Sequence, residues 1–331
     1  MAKKWISNVP IHQLIFNDKG QNDWFNGCLA FLMECLGEDN AYDYWFFSGV
    51  TGDSFTQLYS EDPHTMALCY SHNLPPDAIT QALNACGYTY NYYENIGSMP
   101  ETQQQELKRR IRDSIDQNIP VIARVNDSFH SYAVICGYDE ANFYCILGED
   151  GAPKPYLYDA LLFIGNKKPR PSLAQAYRQA VLRIPQLLRL PQRAGYSFNK
   201  QAFTHWAQSI QSGAFDRYGD GDPIWRTHPV PSFTCWNMHG TYLCMLGTHA
   251  CAIGFLQQAL RLNPDMTFLK KLIPLYEKLH LDGFHTLVQM EGGFSLPPSV
   301  LKDKTRMLPV CNVILRLASY YDQIEEIFAQ G

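Results

Sequence analysis

A compact helical pattern of apolar residues occupies positions 20–37 (GQNDWFNGCLAFLMECLG). Before Cys28 the residues are polar and turn-like, and after it apolar residues recur at the three-to-four-residue spacing of a buried helix. The pattern stops at Gly37, which we expect to cap the helix because glycine adopts left-handed backbone angles without strain. The pattern therefore predicts a buried helix that carries Cys28 on its first turn.

After this helix the pattern predicts short elements of both periods. An aromatic helix or turn at 41–47 leads into SGVTGDSF at 48–55, whose two glycines indicate a loop. Proline at the entry and Gly87 at the end indicate a helix over 75–87, and a charged amphipathic helix is expected over 100–117. Short β-rich runs between turn residues predict strands at 88–93, 119–125, 131–138, 143–147 and 161–164.

The second half of the chain has an almost purely helical pattern, which begins after a change of composition at 166–171 (NKKPRP). The predicted helices are 173–190, 199–212, 237–262, 266–280 and 305–329, with long loops at 213–232 and 292–298. Helices followed by an antiparallel sheet indicate the α+β class rather than alternating β-α-β units. We expect two domains, at 1–168 and 169–331, the second all-helical.

Composition narrows the functional classes. The 331 residues are 46% hydrophobic and 18% charged, as in ordinary globular proteins, and the net charge of −5 is modest. Without a basic stripe the chain is not expected to bind nucleic acid, and no apolar run is long enough for a bilayer. Neither a signal peptide nor a compact cysteine framework is recognisable, so the ten cysteines are expected to be reduced thiols in the cytoplasm. No cofactor is expected.

Two residues suggest nucleophilic chemistry. A cysteine on the first turn of a helix is exposed to unpaired N–H groups and the helix dipole, which lower a thiol pKa; the alternative is an ordinary buried cysteine. His130 precedes an apolar strand (SYAVICGY), where its imidazole could accept the thiol proton and later protonate a leaving group, or could simply bond a backbone carbonyl. Glu149 or Asp150, after the next strand, could orient the imidazole or lie in a solvated turn.

The helix GQNDWFNGCLAFLMECLG, followed about a hundred residues later by HSYAVICGYDE and a short strand, resembles the papain-like cysteine fold. Within it the chain is similar to the N-terminal domain of butirosin biosynthesis protein H, a likeness that SGVTGDSF and the change to helices near residue 166 share, and more distantly to bacteriocin-processing peptidases. The resemblance covers about the first half of the chain. It implies Cys28 as nucleophile, His130 as general base and acid, and Asp150 or Glu149 as orienting acceptor.

The sequence departs from the pattern of these enzymes in two places. They usually carry a glutamine six residues before the cysteine for the oxyanion hole, whereas this chain has Asn22 there and Gln21 seven before. Either amide could donate alongside the N–H of Cys28, and one such donor is typically worth about 100- to 1000-fold in rate. The usual Asp-Pro after the last site strand is replaced by Gly-Glu-Asp-Gly.

One further cysteine and one group of cysteines and histidines are alternative candidate sites. Cys35 shares a helix face with Cys28 but lies near the helix C-terminus, where the dipole opposes a thiolate, so we expect it to pack in the core. A second cluster has the residue types of a metal site, but on one continuous helix His239 and His249 would be about 15 Å apart, which favours a helix interface. A break of the helix at Gly240 or Gly247 would change that distance. That cluster comprises Cys235, His239, Cys244, His249 and Cys251.

Three functions follow from these residues. The first is acyl transfer through a thioester on Cys28, from an activated acyl donor such as a carrier protein to an amine of a small molecule or peptide, in natural-product biosynthesis. The second is hydrolysis by the same Cys–His pair, as a peptidase or amidase. The third is a non-catalytic binding protein that retains the fold, which the imperfect oxyanion position favours.

Overall fold

The computed structural model describes residues 3–6, 21, 23–60, 69–125, 132–146, 153–214, 216, 236–290 and 298–330. The strands are β1 (Lys4–Trp5), β2 (Leu58–Ser60), β3 (Tyr88–Tyr93), β4 (Val121–Val125), β5 (Tyr132–Tyr138), β6 (Phe143–Ile146), β7 (Lys154–Pro155), β8 (Tyr158–Lys167) and β9 (Tyr196–Phe198). The helices are α1 (Trp24–Cys35), α2 (Tyr44–Thr51), α3 (Tyr70–Asn73), α4 (Pro75–Cys86), α5 (Glu101–Asp116), α6 (Leu173–Leu188), α7 (Asn199–Ser212), α8 (Trp236–Leu262), α9 (Leu269–Lys278), α10 (Thr286–Gln289), α11 (Pro298–Lys302) and α12 (Lys304–Gln330). The chain is thus a mixture of helices and antiparallel sheet with a helical C-terminal region.

One antiparallel sheet organises the first half of the chain. Its strand order is β3-β8-β4-β5-β6-β7, with β1 paired to β5. The central strands β4 and β5 pair from Val121↔Ile135 to Arg124↔Tyr132. Both are buried almost throughout, which accounts for their nearly continuous apolar sequence.

The pleat of the sheet places α1 and α5 on opposite faces. Ala133 and Phe163 point to one face, because the pairings of β4 with β5 and with β8 put them in the same register. On that face the guanidinium of Arg110, from α5, lies 4.5 Å from the centre of the Phe163 ring. Tyr132 points to the other face, where its ring contacts the Phe25 ring of α1 at a centroid distance of 4.9 Å.

The helical region packs directly on the earlier elements. β2 pairs with β9, from Leu58↔Phe198 to Ser60↔Tyr196. Gly49 of α2 lies against the ring of Phe255 in α8, so closely that a Cβ at this glycine would be 2.2 Å from the ring. The division at residue 168 stays a prediction, while buried residues from both sides of it form one core.

Most of the predicted elements are confirmed, with two corrections. Gly37 ends α1 as predicted, because it follows the last helical turn with a left-handed φ of 69°. The loop predicted at 48–55 is wrong in its first half, because α2 continues to Thr51 and only Gly52, with φ 103°, ends it. The helix predicted at 266–280 is α9 followed by a π-helical segment, Leu279–His285. Most of the two long predicted loops lies outside the described residues.

A membrane-spanning helix would have to be long and continuously apolar, and the described residues contain none that meets both requirements.

Candidate functional site

The structure places Cys28 as the fifth residue of α1, one turn inside the helix. Asp23 is the N-cap residue, and its carboxylate accepts the N–H of Phe25 at 3.3 Å. The N–H of Gly27 already donates to the carbonyl of Asp23 at 3.3 Å, so the regular ladder has begun before Cys28. The prediction that Cys28 lies on the first turn is therefore wrong, because the helix starts at Trp24 rather than at the cysteine.

The surroundings of Cys28 favour a neutral thiol. Its side chain is fully buried, with 0% exposure. Burial raises its pKa well above the ordinary value, and the nearby Asp23 carboxyl and Cys145 thiol raise the pKa further. The prediction that the helix lowers the pKa of the Cys28 thiol is therefore wrong. A helix dipole stabilises a charge by about 0.3–1 kcal/mol, and the desolvation of a buried thiolate costs more than that.

Of the other predicted site residues, His130, Glu149, Asp150 and Asn22 lie outside the described part of the chain. Gln21 is described and is partly buried. Their roles as base, orienting acid and oxyanion donors therefore remain predictions.

The described elements next to these residues converge on the start of α1. β5 begins at Tyr132, which is two residues after His130. The ring of Tyr132 packs on the ring of Phe25, which is three residues before Cys28. β6 ends at Ile146, which pairs with Val134 of β5. The strand that follows His130 thus begins at the same end of the sheet where the strand preceding Glu149 ends, and α1 packs against that end.

A buried polar network lies beside the start of α1, and the sequence analysis did not predict it. Asp23 and Asp53 are 4% and 2% exposed, and an oxygen of one carboxyl group lies within 4.8 Å of an oxygen of the other. The amide of Asn26 donates to both, at 3.2 Å to Asp23 and 2.9 Å to Asp53. The backbone N–H of Ser71 donates to Asp53 at 2.8 Å, and its hydroxyl donates to Asp23 at 3.1 Å. The hydroxyl of Thr51 lies 3.0 Å from Asp53. The network therefore connects α1, α2 and α3.

The network accommodates one negative charge more readily than two. The side chains that shift the pKa of Asp23 most are neutral or acidic: Asp53, Cys69 and Ser71. Burial raises the pKa of Asp23 well above its usual value, and the neighbouring Asp53 raises it further. Asp53 accepts the N–H of Ser71 at 2.8 Å and the amide of Asn26 at 2.9 Å, whereas the donors to Asp23 lie at 3.1 to 3.3 Å. Because the more closely bonded carboxyl is the better place for the negative charge, the structure assigns the shared proton to Asp23.

The end of α2 holds Asp53 in this position. Gly52 takes the left-handed conformation with φ 103°, and Asp53 begins a 3₁₀ turn directly after it. The guanidinium of Arg183 donates to the carbonyls of Val50 at 2.9 Å and Thr51 at 2.8 Å, which satisfies the end of the helix. The sequence contains a signal for Asp23 but not for Asp53, because an aspartate just before an apolar helix is a typical N-cap.

The same cluster is the described group best placed to hold a metal ion. Asp23, Asp53 and the thiol of Cys69 offer ligand atoms within 4.8 Å of one another. Carboxylates and a cysteine are ligands that zinc accepts. The carboxylate oxygens already accept N–H and O–H donors, however, and burial raises the pKa of the Cys69 thiol. The hydrogen bonding therefore fits a shared proton better than a cation.

The rival sites predicted from sequence lie in the core. Burial raises the pKa of Cys35 to about 12, with a smaller contribution from Glu34, and its side chain packs against core residues. His249 is fully buried in α8, with Nδ1 3.2 Å from the carbonyl of Met245 and Nε2 2.7 Å from the hydroxyl of Tyr321. Both ring nitrogens are thus engaged within the helical core.

The other members of that cluster divide between described and undescribed positions. Cys235 and the side chains of His239 and Cys244 lie outside what the structure describes. Cys251 is buried, and burial raises its pKa. The described members therefore indicate a helix interface.

Neither a protein-family model nor a curated protein matches this sequence.

Proposed function

We propose that the chain is a cysteine-dependent acyltransferase that carries the acyl group as a thioester on Cys28. The observation that carries the proposal is the contact between Phe25 and Tyr132, at 4.9 Å between ring centroids. Through this contact the helix of the proposed nucleophile packs on the strand that begins two residues after His130. A papain-like arrangement requires the cysteine helix to pack on the histidine strand, and a contact of this kind supports the proposal together with the likeness in sequence.

The burial of Cys28 determines how the thiol would react. Because burial raises its pKa, the resting form is the neutral thiol rather than a preformed ion pair. In the proposed reaction His130 takes the proton as the sulfur attacks the donor carbonyl, and the leaving thiol or alcohol receives that proton. The amine acceptor then attacks the thioester, a C–N bond replaces the C–S bond, and the proton lost by the amine restores the Cys28 thiol through His130.

The remaining roles follow the sequence. Glu149 or Asp150 accepts the second imidazole N–H, and Gln21 or Asn22 donates to the oxyanion. The donor is an activated acyl compound or an acyl carrier protein, and the acceptor is a small molecule or peptide amine. No cofactor takes part in these steps.

The test is intact-protein mass spectrometry after incubation with short-chain acyl N-acetylcysteamine thioesters. The expected result is one acyl adduct that an added amine discharges as an amide, and that is absent from Cys28→Ala. Cys35→Ala is the matched control, because this cysteine lies on the same helix, and it should keep the adduct. An adduct that survives Cys28→Ala contradicts the proposal. Release of free acid at a rate that added amine does not change would instead indicate hydrolysis.

A second candidate function, a non-catalytic binding protein, is favoured by the 0% exposure and raised pKa of Cys28. Buried cysteines of this kind are usually unreactive. Iodoacetamide labelling followed by peptide mapping separates the candidates. An enzyme should show Cys28 labelling that depends on His130 and that an acyl donor blocks, whereas a binding protein should label Cys28 no faster than its other buried cysteines.

A further inference from the structure

A surface groove lies on the sheet face opposite α1, between α5, the turn before β6, and the segment that joins β7 to β8. Its volume is about 540 Å³, which is within the range of small-molecule sites. Lys108 and Arg112 line one side, and Phe143, Tyr156 and Tyr158 line the other. We call it the basic groove.

In the part of the chain that the structure describes, the two cations of the groove form no ion pair with a carboxylate. They lie four residues apart on α5 and therefore share one face of the helix. Within the described residues neither forms an ion pair, whereas the adjacent Arg109 binds Glu106 at 2.6 Å and Asp113 at 2.8 Å. The guanidinium of Arg112 lies 5.5 Å from the centre of the Phe143 ring. One N–H of this guanidinium, on Nη2, donates to the carbonyl of Glu140 at 3.5 Å, which leaves its other N–H groups for a ligand.

The opposite wall is apolar with polar edges. Leu157, at its rim, is 81% exposed, which is high for a leucine beside an aromatic cluster. Burial raises the pKa of Tyr158 to about 12, so its hydroxyl stays a neutral hydrogen-bond donor. Glu140 is the one acidic residue among those that line the groove in the described structure, so two cations face one anion.

We propose that the basic groove binds a small organic carboxylate with an aromatic or branched apolar body. The carboxylate would bind the edge of the Arg112 guanidinium and the ammonium of Lys108, and the apolar body would pack on Phe143, Tyr158 and Leu157. A neutral ligand of the same shape would leave both cations without a partner. The inference does not depend on the proposed acyl transfer, because α1 packs on the other face of the sheet.

The test is isothermal titration calorimetry of the full chain with 4-phenylbutyrate and with its uncharged analogue 4-phenylbutyramide. The carboxylate should bind at least about tenfold more tightly than the amide, and its affinity should fall as salt increases. Lys108→Gln and Arg112→Gln should each weaken carboxylate binding by about tenfold, because each removes a charge-assisted hydrogen bond.

Arg109→Gln is the matched control, since it removes a charge from the same helix outside the groove, and it should change the affinity less than twofold. Lys108→Gln keeps the test decisive if the loss of Arg112 stacking disturbs folding, which circular dichroism would reveal. Equal binding of carboxylate and amide, an equal effect of Arg109→Gln, or no binding at millimolar ligand would each overturn the proposal.

Discussion

The two buried aspartates beside α1 should respond differently to the same substitution. Asp23→Asn replaces a carboxyl that we assign as protonated by an amide of the same shape, whose N–H can donate to Asp53 as the acid proton does. Asp53→Asn replaces a carboxylate that lies 2.8 Å from the backbone N–H of Ser71 and 2.9 Å from the amide of Asn26. An amide nitrogen in place of either oxygen of Asp53 would bring two hydrogen-bond donors face to face.

The pH dependence gives the magnitude for Asp23. Burial raises the pKa of the folded-state carboxyl, so the folded protein keeps a proton that the unfolded chain loses above about pH 4. With more protons bound when folded, stability falls as pH rises, by about 1.4 kcal/mol per pH unit, until the folded-state pKa is reached. Asp23→Asn cannot titrate, so its stability relative to wild type should rise along that slope from about pH 4 upward.

The cost of Asp53→Asn comes from donors left without an acceptor. A buried donor that loses its partner costs about 1–3 kcal/mol. Because Ser71 donates through its backbone and cannot reorient, we expect Asp53→Asn to destabilise the protein by roughly 2–6 kcal/mol, the amount that two such losses would give.

Urea unfolding of both variants and of wild type, from pH 4.5 to pH 8, checks these expectations. Asp113→Asn is the control, because this aspartate is exposed on α5, and it should stay within about 0.5 kcal/mol of wild type. Equal destabilisation by Asp23→Asn and Asp53→Asn, or a difference between Asp23→Asn and wild type that does not change with pH, would refute the proton assignment.

Three further predictions concern the helical core and its contact with α2. Gly49→Ala should destabilise the protein by about 1–3 kcal/mol in urea unfolding, because a Cβ there would lie 2.2 Å from the Phe255 ring, whereas Gly97→Ala meets nothing within 4 Å and should have little effect. Burial lowers the pKa of His249 to about 4, so the unfolded chain takes up a proton first as pH falls below about 6.5. This group alone should lower stability by about 3 kcal/mol between pH 7 and pH 4, against the opposite contribution of Asp23, so the difference in unfolding free energy between wild type and His249→Gln should change by that amount over this range. Tyr321→Phe removes the hydroxyl 2.7 Å from His249 Nε2 and should cost about 1–3 kcal/mol at pH 7 by the same unfolding assay.

The fold was predictable wherever one local period dominates. α4 has proline at its start and Gly87 in the left-handed conformation at its end, as its sequence indicates, and α7 spans the predicted residues. The short strands β1, β7 and β9 were not predicted, because two or three residues carry no period. These short strands form through pairing with a strand that is distant in the sequence, as β9 pairs with β2.

The π-helical segment was unpredictable for a related reason. Its residues continue a helical pattern, and what distinguishes them is packing against other helices. Gly283 lies so close to α8 and α12 that a Cβ would be 3.0 Å from Leu246 and 3.1 Å from Leu317. Contacts between distant segments of this kind leave no signal in the local hydrophobic pattern.

The pKa of the Cys28 thiol was also unpredictable from local sequence. A helix start next to a cysteine was correctly located to within a few residues, yet the conclusion about the thiol pKa was wrong. The sequence motif contains Asp23, but it does not show that Asp53, which follows α2, lies beside Asp23 and accepts from the same Asn26 amide. A pairing between residues thirty apart depends on how two helices pack, and no spacing rule encodes it.

The position of Asp23 also explains why the helix dipole does not activate Cys28. The dipole is strongest at the N-cap, and this place is occupied by a carboxyl group whose oxygen accepts the N–H of Phe25. Any negative charge on the Cys28 sulfur would therefore be stabilised little by the helix and would be disfavoured by burial and by Asp23. Since neither the helix nor the buried acids can supply a thiolate, catalysis at Cys28 requires a base that acts during attack. The proposed enzyme thus depends on His130 for the proton transfer itself, and its rate should follow the protonation state of that imidazole rather than that of the thiol.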